Sequence, residues 1–213
     1  MTECGASGRV FRYHASLSTY HRDNSVKPYA AYAIGAALVD TEIQVTDEEL
    51  AAMNVEKGMM TLVDQDRQAD MLARLSDHLV RASHASGGSA GNSMIATALM
   101  GAPTYMSCKV AQDADGDIYL ADLEQSGVAH GLNDQRKKGV TGKCIVLITP
   151  DAERSLNTHL GISETLSTDE VDEAAIKDSE WVYLEGYLVT SPTGHAAALK
   201  TKSLAEQHGV RTA

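Results

Sequence analysis

The sequence predicts an α/β fold with a mostly parallel sheet. Strand-like and helix-like segments alternate along the chain, several strand candidates are continuously apolar as strands covered on both faces are, and most helix candidates carry a start or stop signal. The 213 residues suffice for one sizeable domain or two small ones, and 43% apolar with 22% charged residues is the balance of a chain with a packed core.

The first 28 residues, "MTECGASGRVFRYHASLSTYHRDNSVKP", show no clear period and no apolar centre, and read as a tail or extended start. Tyr29 to Asp40, "YAAYAIGAALVD", is an apolar run ending in an acid, a buried strand feeding a loop. "TEIQV" (41–45) alternates like a half-exposed strand. "TDEELAAM" places Thr46 three residues before Glu49, the spacing of a capping box. "KGMMTLVD" reads as a strand over 58–63. "QDRQADMLARLSDHLVRAS" reads as a helix with Met71, Leu72, Leu75, Leu79 and Val80 on one stripe.

"GGSAGNSMIATALMG" opens a helix at Ser89, a candidate cap, with Ile95, Ala98 and Leu99 on its buried stripe. "PTYMSCKVA" reads as a strand, and "DADGDIYLADLEQSG" as a helix stopped by Gly127. "GKCIVLITPDAERSLNTHLG" (143–160) reads as two strands joined by a Pro-Asp turn. "STDEVDEAAIKDS" is a short acidic helix capped by Ser167 or Thr168, and "EWVYLEGYLV" a buried strand. "SPTGHAAALKTKSLAEQHG" is a helix with Pro192 in its first turn and Gly209 at its end. The strands near 41–45, 58–63 and 143–160 are expected to form a separate small sheet. "VRTA" after Gly209 reads as the start of a further strand, so the fold is expected to continue beyond Ala213.

A formal charge of −11 argues against nucleic acid, whose binding needs clustered Lys and Arg, but leaves room for a small phosphorylated ligand. Three widely spaced cysteines form no CxxC pair, so neither a disulfide framework nor a zinc knuckle is supported; reduced thiols and a cytoplasmic location are the simpler expectation. The histidines lack HExxH spacing, and no apolar run approaches the length of a membrane span.

Gly87, Gly88 and Gly91 fit neither GxGxxG nor GxxxxGK[ST], which disfavours an NAD-binding Rossmann enzyme and a phosphate loop. A tight turn remains open. So does a ligand grip: two glycines let backbone approach closely, a helix N-terminus offers N–H groups, and the Asn92 amide can both donate to and accept from a sugar hydroxyl.

The segments "AIGAALVDTEIQV", "GGSAGNSMIATALMGAPTYMSCKVAQDADGDIYLADLEQSGV", "TGKCIVLITPDAERSLNTHLG" and "WVYLEGYLV", in this order and spacing, resemble the N-terminal portion of the ribokinase-like (PfkB) carbohydrate kinases, most closely their adenosine kinase-like bacterial members. The resemblance runs from about Tyr29 to Ala213; Met94 departs from it, standing where the family usually has a small residue. It implies a three-layer ribokinase-like sandwich under a small β lid, and phosphorylation of a nucleoside or sugar hydroxymethyl group by ATP with Mg2+. Asp40 then matches the acid that accepts hydrogen bonds from ribose hydroxyls; Gly87, Gly88 and Asn92 match the sugar-binding and hinge segment. Gly35 matches a small residue beside the substrate, Glu185 a polar contact near the substrate or the metal-water network, and Arg154 a basic residue on the lid side able to steady substrate or phosphate.

Each has a plainer alternative: a turn acid for Asp40, a satisfied strand-end acid for Glu185, a solvated turn arginine for Arg154. The family's D-T-x-G-A-G-D anion hole with its catalytic aspartate, and its NxxE magnesium motif, do not occur in these residues. The expectation is therefore a chain that carries the substrate side of a kinase, inactive alone, with the catalytic Asp beyond Ala213 and no tightly held cofactor; the alternative is a non-catalytic sugar- or nucleoside-binding module. A homodimer through the lid is a further arrangement the resemblance leaves open.

Overall fold

The computed structural model describes residues 27–78, 83–132 and 136–213. Apart from its last two residues, the tail expected over 1–28 lies outside them.

Two sheets divide the strands. The central sheet holds β1 (Tyr29–Ile34), β5 (Thr104–Ser107), β6 (Val128–His130), β9 (Ser179–Leu184) and β10 (Arg211–Thr212), in the order β10-β9-β1-β5-β6. Every neighbouring pair in it is parallel. Parallel strands need crossovers, and α3 (Ser89–Leu99), α4 (Ala114–Gln125), α5 (Glu173–Lys177) and α6 (Pro192–Gln207) supply them. Alternation along β1 sets the layers. Tyr32 and Ile34 join Ile176, Ala197, Leu204 and Ala205 of α5 and α6 on one face. Ala33 joins Ala90, Met94, Tyr119 and Leu123 of α3 and α4 on the other.

The second sheet is mixed: β3 (Met60–Leu62), β8 (Arg154–His159), β7 (Gly142–Ile148), β2 (Leu38–Gln44) and β4 (Ser83–Gly87), paired in that order. β7 and β8 form an antiparallel hairpin. The outer face packs under α1 (Asp47–Ala52) and α2 (Gln65–Arg74) through Ile43, Ile145, Leu147, Leu50 and Met71. Thr46 and Glu49 close the capping box at α1 as the spacing predicts, and Asp64 caps α2 by accepting from the Arg67 N–H at 2.7 Å.

Several expectations are corrected. The run 29–40 is two strands in different sheets, because the chain leaves the central sheet at Ile34 and re-pairs from Leu38. Asp40 consequently lies mid-strand, not in a loop. The helix expected over 65–83 stops at Arg74, and Leu79 and Val80 fall outside the described residues. Strand β4 carries no apolar signal ("SHASG") and is held by antiparallel pairing to β2; β6 was also unforeseen.

At α3 the N-cap is Gly88, with φ of 87° and no side-chain cap, so Ser89 is the first helical residue. Leu99 is 71% exposed, off the buried stripe. The acidic segment 167–178 splits into a 3-10 turn (Thr168–Glu170) capped by Ser167 and helix α5 capped by Asp172. The strand expected over 180–189 ends at Leu184 and passes into a 3-10 turn (Gly186–Thr190).

Candidate active site

A cavity of about 330 Å³ lies between the inner face of the second sheet and the C-terminal edge of the central sheet. Its roof follows from strand register. Asp40 on β2 stands opposite Cys144 on β7, Cys144 opposite Thr158 on β8, and Thr158 opposite Leu62 on β3. Side chains two residues apart share a face, so Leu38, Leu156 and Met60 join this row. Ala36, Gly88, Ser89, Asn92 and Glu185 form the floor, and Leu160, Leu166 and Tyr187 line the sides.

Asp40 is the one carboxylate among the described residues of this largely apolar roof. Among the described residues it has no hydrogen-bond partner. Burial pushes its pKa up to about 6; Arg154 pulls it down and Glu42 pushes it up, both more weakly. Gly87 makes the position possible: a Cβ there would stand 2.1 Å from Asp40 Oδ1. Gly87 thus serves by vacating space rather than by lining the cavity. At Gly88 a side chain is excluded twice, by its positive φ and by the Ala36 carbonyl oxygen 2.5 Å from where a Cβ would sit.

Asn92 lies in the first turn of α3, exposed, its side-chain amide without a partner among the described residues. Its backbone N–H donates to the Gly88 carbonyl at 3.0 Å. An unpaired carboxylate above and an unpaired amide below suit neighbouring hydroxyls, the first accepting from two and the second donating or accepting.

Glu185 is buried, 3% exposed, and its oxygens are used by the chain itself. Oε2 accepts from the Ala36 N–H at 2.7 Å, and Oε1 from Ser89 Oγ at 2.6 Å and the Ala90 N–H at 3.3 Å. The space at Gly35 belongs to this carboxylate as well: a Cβ would meet Glu185 Oε2 at 2.7 Å and Ala90 Cβ at 2.6 Å, so Gly35 clears room for Glu185 and not beside a ligand.

Arg154 does not line the cavity, but it stands on the roof's face of β8, two residues before Leu156, and its charge reaches Asp40. It is the first residue of β8 and pairs with Glu42 on β2, both partly exposed. Asn157 faces away from Arg154 and is buried, with Nδ2 unpartnered among the described residues. Sequence reasoning did not single out the apolar lining. The period-two spacing of Met60 and Leu62 signalled a strand, but which face they presented depended on pairing with β8. Ser89 and Cys144 were likewise missed; Thr158 Oγ1 donates to Cys144 Sγ at 3.3 Å, and burial pushes that thiol up to about 11. No described helix is long and apolar enough to cross a membrane.

Known proteins share this architecture. A probable sugar kinase from Rhizobium etli superposes with a TM-score of 0.78 and 31% identity over 88% of this chain and 56% of its own. Adenosine kinase from Sinorhizobium meliloti gives 0.78 and 33% over 86% of this chain and 55% of its own. Ribokinase from Mus musculus is 25% identical over 126 residues, 59% of this chain and 38% of the mouse protein. The chain thus spans little more than half of these solved kinases and less of the ribokinase. The profile described as pfkB family carbohydrate kinase matches residues 51–213, and the chain belongs to that family.

Proposed function

We propose that this chain forms the substrate-binding part of an ATP-dependent kinase that phosphorylates a nucleoside or sugar hydroxymethyl group, with adenosine as the leading substrate. The observation that carries the reading is the meeting of Asp40 and Asn92 across one cavity. Ionised Asp40 accepts from two vicinal hydroxyls of a pentose, and Asn92 holds a third polar group from below. The apolar roof and sides, with Met60, Leu62, Leu156 and Tyr187, suit the faces of a purine base better than a bare sugar. The second sheet then acts as a lid that excludes water from the hydroxyl to be phosphorylated.

ATP with Mg2+ supplies the phosphoryl group in this reading. Among the described residues no group of three or more His, Cys, Asp or Glu is placed to hold a metal ion, and neither GAGD nor NxxE occurs, so this chain's own residues do not fit that role. Their part is to bind, orient and desolvate the acceptor.

Calorimetric titration of the 213-residue chain with adenosine and with ribose tests the reading. Saturable heat with adenosine, and weaker binding of ribose, is expected; absence of heat with both contradicts it. A coupled assay on the same chain is expected to show no ATP turnover.

A further inference from the structure

We propose that Glu185 is the pin of the hinge between the two sheets, a positioning residue that joins two of the passages by which the chain crosses from one sheet to the other. The first passage is Gly35–Ala37, between β1 and β2. The second is Gly87–Gly88, between β4 and α3. One carboxylate serves both: Oε2 takes the Ala36 N–H, while Oε1 takes Ser89 Oγ and the Ala90 N–H.

Each of those N–H groups lies outside a strand ladder or the helix's own bonding, so without Glu185 the buried Ala90 N–H and the half-buried Ala36 N–H both lose their acceptor. The carboxylate is itself held, since the Glu185 N–H donates to the Ile34 carbonyl at 3.3 Å, at the end of β1. The passages also touch. The Ala36 carbonyl oxygen packs where a Gly88 Cβ would stand, and the Ser163 hydroxyl accepts from the adjacent Ala37 N–H at 3.1 Å.

The placement has a consequence for the site. Asp40 follows Ala36 by four residues, on the strand that the first passage enters, and Asn92 follows Ala90 by two on one helix. The two side chains that face each other across the cavity therefore hang from the two passages that Glu185 joins. Any movement of the second sheet toward the central one turns both passages about this carboxylate, which keeps Asp40 aligned over Asn92. The role differs from contact with a ligand, because it is exercised in the empty protein.

Hydrogen exchange in the ligand-free chain tests the pin directly, and this arm is independent of the functional reading. In Glu185→Ala, both acceptor oxygens are removed, so neither the Ala36 nor the Ala90 N–H keeps its partner. Exchange at both Ala36 and Ala90 should quicken about tenfold, the loss of roughly one charge-assisted hydrogen bond, with Tyr32 and Met106 in the central sheet unchanged. Ser89→Ala, a milder change at an exposed residue, should also quicken Ala36 on the opposite passage. Loss of protection at only one passage in Glu185→Ala, or an unchanged Ala36 in Ser89→Ala, overturns the proposal.

A second arm, resting on the functional reading, separates positioning from contact. Glu185→Gln should weaken adenosine and its 2′-, 3′- and 5′-deoxy analogues by the same factor, whereas selective indifference to one missing hydroxyl would mean that Glu185 touches that hydroxyl and would refute the pin. If the unaltered chain binds no nucleoside, the functional reading fails and the exchange arm still decides the pin.

Discussion

At the scale of single residues, Asp40 is held in two opposing demands. Its carboxylate stands in an apolar row and its pKa is raised to about 6, so the folded protein binds that proton more tightly than the unfolded chain does. The stabilising contribution of the protonated form is full below the unfolded value and is lost as pH rises through about 6. Binding of hydroxyl donors needs the ionised form and should strengthen over the same interval. Asp40→Asn is therefore expected to stabilise the empty chain at pH 7.5 by about 1 kcal/mol once partial exposure is discounted, read as a higher Tm, with the gain vanishing by pH 4. A lower Tm in the variant at pH 7.5 would contradict this balance.

Gly88 illustrates the reverse case, in which a side chain is forbidden. Gly88→Ala should cost about 1–3 kcal/mol in urea unfolding, since it meets both an unfavourable φ and the Ala36 carbonyl. Its effect would come from the meeting of two distant segments, which no local pattern reveals.

At the scale of elements, what the sequence showed and what it concealed divide by the range of the interaction. Thr46 and Glu49 were legible because a capping box is complete within four residues, and Thr46→Ala should lower stability by about 1 kcal/mol in thermal unfolding. The hairpin β7–β8 was legible from Pro150 and Asp151 between two strand-like runs. The break after Ile34 was not. Just past it the Ala36 N–H is taken by Glu185, 149 residues further along the chain, a partner no local pattern reveals. Likewise β4 exists because β2 pairs with it, and Arg154 pairs with Glu42, two residues along β2 from Asp40. The Asp40–Asn92 meeting was anticipated only through resemblance to a family, since residues on a strand and a helix from different layers share no spacing rule.

The roof tests the elements together. Leu62 is 55% exposed on the edge strand β3 yet lines the cavity, so Leu62→Ser should leave Tm nearly unchanged while weakening adenosine several-fold. Loss of stability without loss of affinity would place its apolar surface elsewhere.

For the whole molecule, the cavity lies between two sheets with separate cores, so a ligand that touches both stabilises their association. Adenosine at about a hundred times its Kd should add about 2.7 kcal/mol, a rise of roughly 5–10 °C in Tm for a chain of this size. The central claim is that an ionised Asp40 above α3 grasps the hydroxyls of a pentose. Its most direct test is adenosine calorimetry on the unaltered chain and Asp40→Asn, side by side at pH 7.5. A loss of about tenfold or more in affinity is predicted, as expected for removing a charged acceptor of hydroxyl hydrogen bonds, while equal affinities in the two proteins would contradict the account.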